Sequence, residues 1–414
     1  MAEKTILHCD LNSFFASVEL KENPSLRGKA VAVCGSKEER HGIVLAKTEQ
    51  AKRFGVKTGE AIWQAEQKCS DLIIVPPHYD LYTDYSMKVR KIYYGYTNLV
   101  ESFGIDECWL DVTGSKLLFG DGERIANTIR ERVYAETGLT ISVGVSFNKV
   151  FAKLGSDLKK PNAVTVISKN EFKEKIWPLN ADEMIGIGRA TSAKLKKYGI
   201  YTIGQLANCD VRFCLEKFGV IGRYLWENAN GLGSDRVGEY NQYAPIKSVG
   251  RGSTFKEDLL CDNEVWNMIC YLGEEVAQRL RKDKLCASGV QLTVKNEELE
   301  SHDMQGRLNF PSQCYTEICS RAYELFVQNY NWDKNVRSLT VRAINLIPEN
   351  EPYQIEVFFD EKRRDKAYAR EVAMDNIRKR YGASYIESAA LFYFRKESES
   401  RHFNSLPSPT FGYM

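Results

Sequence analysis

The chain has 414 residues, 43% of them hydrophobic and 27% charged, with 57 Lys and Arg against 55 Asp and Glu for a net charge of +2. That length calls for two to four folding units, and that composition belongs to a globular protein with a substantial core, which excludes disordered, collagen-like and fibrous classes. No run approaches about 20 uninterrupted apolar residues, and Met1 to Lys4 lead straight into a strand-like run, so neither a membrane span nor a secretory signal is expected.

The balanced charge gives no global sign of nucleic acid, but a local basic groove beside an acidic centre is compatible with it. Eleven cysteines with no Cys-x-x-Cys pair and only five histidines fit neither a zinc site nor a disulfide framework. They read as reduced, packed thiols of a cytosolic protein.

In chain order, residues 5 to 15 (TILHCDLNSFF) hold an apolar run that ends at Asp10 and passes into a helix over ASVEL, placing an acid at a strand end. A strand over Ala30 to Val33, a helical stretch from Lys47 to Phe54 and a turn at Gly55 and Gly59 follow. Residues 82 to 98 are predicted helical. LVESFGIDECWLDVT (99 to 113) reads as two strands meeting near Gly104 and Ile105. A helix over 122 to 137 before a strand over 141 to 146 completes a split ferredoxin-like α/β (α+β) pattern. From Asn180 to Gly233 glycines break the chain into short helices. The stretch from Ile246 to Leu346 then reads as strand (247 to 255), helix (262 to 283), two strands (288 to 295, 304 to 310), helix (312 to 329) and strand (336 to 346), a small α/β sandwich. PENEP (348 to 352) is a linker, and 360 to 381 a charged helical segment.

Asp10, Asp106 and Glu107 are the candidates for chemistry, because such a sheet brings three carboxylates to one edge, and hard oxygen donors without nearby His or Cys favour Mg²⁺ over zinc. An Asp-Glu pair also stands at 182 to 183 and at 360 to 361, where a solvated turn explains it. The pair in GIDECWLDV lies instead inside an apolar run, where unpaired carboxylates are costly unless a cation neutralises them. Two divalent ions about 4 Å apart are what nucleotidyl transfer needs. Lys52, Arg53, Lys159 and Lys160 are the cations at hand to grip a triphosphate. MIGIG followed by RATSAKLKKYGI (184 to 200) offers exposed backbone amides at Gly186 and Gly188 beside Lys194, Lys196 and Lys197, a phosphate grip that reads no sequence; a solvated charged face is the alternative. KFGVIGRYL (217 to 225) is a partly degenerate second copy.

CDLNSFFASVE (9 to 19), FGVKTGE (54 to 60), GIDECWLDVTG (104 to 114), SVGVSFNKVFAKLGSDLKKPN (142 to 162), IGIG (185 to 188) and RGSTFKEDL (251 to 259) together resemble the Y family of translesion DNA polymerases, most closely its bacterial DinB-type branch. The resemblance covers about residues 5 to 346. It implies that Asp10 and Asp106 bridge two Mg²⁺ ions, with Glu107 completing the site and the Leu11 carbonyl helping to hold the nucleotide's metal. Backbone amides near Ser13, Phe14 and Phe15, together with Lys52 and Lys160, would hold the triphosphate, and Phe15 falls on the steric-gate position. Lys52 stands where the family usually has Arg, Glu49 where it usually has Tyr, and Gly104 where Ser is frequent; a Glu at 49 would repel phosphates unless it faces away.

The same resemblance implies a right hand: palm (1 to 12 and 78 to 167), small fingers (13 to 77), a helix-hairpin-helix thumb (168 to 233), little finger (242 to 346) and a tail (347 to 414). Gly186, Gly188, Lys194, Lys197 and Arg251 would contact DNA. The implied protein is a monomeric, cytoplasmic, low-fidelity polymerase that binds primer-template DNA and dNTPs. A nucleotide cyclase would share the sheet and acids but not the segments beyond residue 180, and an inactive polymerase-like DNA binder would have lost a metal acid. In the tail, QIEVFF (354 to 359) resembles the short peptide by which bacterial polymerases bind the sliding clamp, with Gln354, Val357 and Phe358 as its anchors; a strand packed back on the core is the alternative.

Overall fold

The computed structural model describes residues 3–36, 40, 42–239, 245–352, 361–382, 385 and 386. They fall into two compact units, one within residues 1–35 and 43–243, the other within 244–408 together with 36–42. Among the described residues no helix is long and apolar enough to cross a membrane, and all eleven cysteines are free thiols.

The first unit is built on a five-stranded sheet of β1 (Ile6–Leu11), β5 (Val100–Ser102), β6 (Glu107–Asp111), β7 (Ile141–Ser146) and β8 (Val164–Ile167), in the order β5-β6-β1-β7-β8. The central β1 runs antiparallel to both β6 and β7. All six of its residues are buried, because both faces of the sheet are covered. Leu7, Cys9 and Leu11 pack with helices Tyr79–Tyr94 and Gly122–Thr137 through Val89, Ile92, Ile125 and Ile129. On the opposite face His8 and Asp10 look toward helix Lys149–Leu158. That helix touches the sheet backbone to backbone. A Cβ on Gly144 would lie 1.8 Å from the Ala152 carbonyl oxygen and 2.5 Å from the Ser156 nitrogen. The matching small residue on the helix is Gly155, where a Cβ would lie 3.1 Å from the Gly144 Cα.

A three-stranded sheet, β3-β2-β4, inserts between β1 and helix Tyr79–Tyr94, with β2 (Val31–Cys34), β3 (Val44–Lys47) and β4 (Ile73–Val75). The sequence shows only β2 as a strand. Lys47, expected to open a helix, closes β3 instead, because Thr48 is extended and caps helix Glu49–Arg53 with its hydroxyl. The helix expected over 82 to 98 begins three residues earlier, at Tyr79, and ends before Gly95. Between 172 and 229 the chain forms a run of helices joined by short turns. Helices Arg189–Lys197, Ile203–Ala207 and Val211–Ala229 share a core of Leu195, Ile203, Leu206 and Leu225 with Phe151 and Leu154 of Lys149–Leu158.

The second unit is an antiparallel sheet in the order β11-β10-β12-β9, made of β9 (Ser248–Leu259), β10 (Leu285–Asn296), β11 (Ser301–Ser312) and β12 (Val336–Pro348). Helices Asp262–Lys282 and Tyr315–Asn329 cover one face through Met268, Leu272, Val276, Ile318 and Phe326. The second helix starts later than the expected 312 because β11 runs on through Ser312. PENEP is a fastened turn and not a free linker: Pro348 closes β12, and the Glu349 amide donates to the Lys284 carbonyl at 3.0 Å. Helix Glu361–Tyr381 attaches by charge. Arg281 pairs with Glu371 and with Asp375 (2.7 Å), and Arg378 pairs with Glu274. Burial pushes the Glu371 carboxyl up to about 7 against the pull of Arg281.

The backbone contact at Gly144 leaves no room for a methyl group, and neither partner atom is a movable side-chain end. Gly144→Ala is expected to lower unfolding free energy by about 3 kcal/mol. Gly114→Ala, at a position with nothing within 4 Å, should change it by less than about 0.5 kcal/mol. Urea unfolding of both variants checks the contrast, and equal midpoints would show that the helix can shift away.

Candidate active site

The strand-end acids meet through sheet register. Asp10 on β1 stands opposite Glu107 on β6, and the Leu11 amide donates to the Asp106 carbonyl at 3.1 Å, so all three acids share one edge. The turn before them is fixed by backbone bonds from Phe103 and Gly104 to the Glu107 carbonyl (3.0 and 3.3 Å). Arg90 donates to the Gly104 carbonyl at 2.8 Å and Ser86 to that of Ile105. A Cβ on Gly104 would lie 3.2 Å from Asp106 Oδ1, so glycine leaves that carboxylate room a larger residue would restrict.

Two of the three acids already have protein counter-charges. Lys160 Nζ lies 2.7 Å from Asp10 and 2.8 Å from Asp157. Lys153 pairs with Glu107, and His8 Nε2 lies 3.1 Å from the same Glu107 oxygen. His8 is wholly buried, and its Nδ1 is 2.8 Å from Ser156 Oγ. Asp106 makes no ion pair among the described residues.

The electrostatics follow from these partners. Burial, and then the charges of Asp10 and Glu107, push the Asp106 carboxyl up to about 6. Burial also acts upward on Glu107, but the His8 and Lys153 contacts outweigh it and bring that carboxyl down to about 2. Asp10 is raised, by burial, despite Lys160.

Three carboxylates suit a hard divalent cation, although His8 stands beside them, against the expectation that no His or Cys is near, and Asp106 carries a charge that no protein group offsets by an ion pair among the described residues. Even so, no three His, Cys, Asp or Glu side chains among the described residues converge on one ligating point. Glu107 is engaged with Lys153 and His8, and a cation held by all three acids requires that carboxylate to turn.

Beside the acids, Ser13 is left-handed (φ 48°) at the start of helix Phe14–Glu22, whose first-turn amides have no intrahelical acceptor. The two phenylalanines separate. Phe14 is 4% exposed and belongs to the core, whereas Phe15 is half-buried, stacked on Tyr82 at 4.2 Å and met edge-on by Tyr79. Glu49 does not face away: its carboxylate lies 3.5 Å from Ser13 Oγ and 3.7 Å from Lys52 Nζ. Arg53 and Lys159 are exposed.

The candidate DNA contacts lie elsewhere. Gly186 (φ 94°) and Gly188 form the turn into helix Arg189–Lys197. Lys194 donates to the Lys217 carbonyl, Lys196 pairs with Asp182 at 3.3 Å, and Lys197 is exposed. The second copy breaks its helix at Gly219 (φ 67°), leaving Val220 and Ile221 exposed. Arg251 is half-buried and paired with Glu275 at 3.1 Å. Gln354, Val357 and Phe358 lie outside the described residues.

Sequence reasoning missed His8, Lys153 and Ser156, and also Asn12, which joins Ser142 (2.9 Å) to the Asn162 amide (2.8 Å). A signal existed: His8 shares the strand face of Asp10, and Lys149, Lys153, Ser156 and Lys160 recur at the 4-3-4 spacing of one helix face.

Two family models match the chain. The impB/mucB/samB family spans residues 9–157 and the impB/mucB/samB family C-terminal domain spans residues 246–357. A DNA polymerase IV of Acetivibrio thermocellus is 48% identical over 380 residues, 92% of this chain and 95% of that protein. DNA polymerase IV 1 of Bacillus subtilis is 35% identical over 401 residues, 96% of this chain and 95% of that protein. Among solved structures, a Y-family DNA polymerase chimera, Dbh-Dpo4(243-245)-Dbh, is similar with a TM-score of 0.72 at 25% identity, covering 83% of this chain and 99% of that one.

The charge crowding at Asp106 has a measurable cost. A carboxyl raised from 3.8 to about 6 on folding favours the fold fully below the lower value and loses that contribution as pH rises through the upper one. In chelator, Asp106→Asn is therefore expected to stabilise the protein by about 1–2 kcal/mol near neutral pH, after allowance for solvent screening. The gain should fade as pH falls below about 6. Urea unfolding across pH reads this directly, and a variant less stable than wild type near neutral pH would contradict it.

Proposed function

The chain belongs to the Y family of DNA polymerases, of the DinB type, and on that premise we propose that Asp10, Asp106 and Glu107 carry its nucleotidyl transfer. It is a translesion DNA polymerase, a divalent-metal-dependent enzyme whose substrates are template-primer DNA and nucleotides. The observation that carries the residue assignment is the register of β1 on β6, which sets Asp10 opposite Glu107 with Asp106 beside them.

These carboxylates and the Leu11 carbonyl would hold two cations, and Mg²⁺ is the ion their hard oxygens suit. When bound, such ions make the primer 3′-hydroxyl a better nucleophile and neutralise charge building on the triphosphate. The chain's own groups do the rest. First-turn amides of Phe14 and Phe15 donate to phosphate oxygens at a helix N-terminus, and Lys160, released from Asp10, adds a charge while Asp157 keeps it in place. Lys52 is the less direct contact, because Glu49 already holds it. Phe15, backed by Tyr82, presents its ring where a ribose 2′-hydroxyl would collide.

Residues 1–12 and 78–167 act as palm, 13–77 as fingers, 168–233 as thumb and 242–346 as little finger in this reading. Gly186, Gly188, Lys194, Lys197 and Arg251 grip the DNA backbone. Gln354, Val357 and Phe358 act as a sliding-clamp peptide, a reading supported by the sequence pattern alone, on a monomeric enzyme whose cytoplasmic location is supported by its bacterial relatives. A cyclase or an inactive binder is disfavoured by relatives named as polymerases along nearly the whole chain and by the presence of every acid.

Asp106→Ala and Glu107→Ala are each expected to slow single-turnover dNTP insertion by about 100-fold or more while primer-template affinity stays within about twofold. Insertion at the wild-type rate by either variant rejects the assignment. Phe15→Ala should raise the ratio of ribonucleotide to deoxynucleotide insertion efficiency by about tenfold or more, since exclusion there is steric. An unchanged ratio in a folded variant removes the gate.

A further inference from the structure

Lys153 has no part in the chemistry described so far, yet it is largely buried and paired. It reaches the sheet from helix Lys149–Leu158, its side chain is only 17% exposed, and its ammonium pairs with Glu107. Among the described residues Glu107 is the one carboxylate within ion-pair reach of Lys153, whereas Lys160 keeps Asp157 if it leaves Asp10. The Phe103 ring lies 5.3 Å from the Lys153 ammonium, a contact that does not involve Glu107. The three acids do not converge on one point, and Glu107 is the one committed to neighbours on the helix side.

We propose that Lys153 is an internal counter-ion that draws Glu107 away from Asp10 and Asp106 until a divalent cation displaces it, so that this lysine sets how tightly the site takes the cation. The inference rests on the reading of the three acids as cation ligands. A partly buried carboxylate cannot stand unpaired without cost, and an ammonium satisfies it in the absence of metal. A divalent ion must then break that pair before Glu107 can serve it, and its affinity is reduced by the strength of the pair. Lys153 is thus a positioning residue acting through Glu107. It keeps the protein stable without metal and makes cation binding weaker and more readily reversed than the bare carboxylates would give.

The test is Mn²⁺ binding to the full chain without DNA, followed by the loss of the free-ion electron paramagnetic resonance signal. Lys153→Met should bind Mn²⁺ about five- to tenfold more tightly than wild type, because a competing unit charge is gone. Lys153→Arg, which keeps the charge, should stay with wild type. So should Lys149→Met, whose ammonium pairs with Glu101 one turn away. Affinity unchanged or weakened in a Lys153→Met protein with native circular dichroism overturns the inference; Lys153→Gln is read the same way should the methionine variant not fold. Asp106→Ala separates this from the underlying reading: loss of Mn²⁺ binding there keeps the acids as ligands whatever Lys153 does. Binding identical to wild type overturns both.

Discussion

Much of this site follows from the near-contact of two backbones at Gly144. With no side chain between β7 and helix Lys149–Leu158, the helix comes close enough for Ser156 to meet His8 and for Lys153 to meet Glu107, two strands away from β7 in the sheet. Gly155 answers Gly144 from the helix side. The other side of the same helix is apolar, with Phe151 and Leu154 in the core of the helical segment that follows. One ten-residue element therefore carries the charges that balance the sheet edge and joins the sheet to the helices beyond it.

Three carboxylates at one strand end would repel one another, and the protein resolves this unevenly. Glu107 is held well below the usual range, at about 2, by His8 and Lys153 against the effect of burial. Asp106 is left at about 6, raised by burial and by the two neighbouring acids. An edge with one over-satisfied and one under-satisfied carboxylate is a poor resting arrangement for the fold but suits the entry of a cation, which relieves Asp106 as it competes for Glu107. The stability of the protein and the affinity of its site are in this way set by the same few ion pairs.

Much of this was legible in the sequence because the signals were long or chemically specific. The helix expected over 122 to 137 and the strand expected over 141 to 146 stand at those residues, and Asp10, Asp106 and Glu107 stand out as acids in apolar runs. What escaped was short or non-local. β3, β4 and β8 have three or four residues each, too few for an alternation to show, and they become strands only by pairing with neighbours distant in sequence. Lys153 looked like one lysine among several, since its partner lies 46 residues away and its burial depends on the glycine contact at 144. Glu49 was visible as a departure from the family pattern, but its orientation toward Ser13 and Lys52 is a matter of how helix Glu49–Arg53 sits, which composition does not encode.

The most direct measurement is a crystal structure of the enzyme with primer-template DNA, a non-hydrolysable deoxynucleotide and Mn²⁺, read by anomalous scattering. The geometry predicts two manganese peaks among the carboxylates of Asp10, Asp106 and Glu107, with Glu107 turned off Lys153 and the triphosphate lying along the first turn of helix Phe14–Glu22. Manganese bound by other residues, or no peak within reach of these three acids while nucleotide occupies the site, would contradict it.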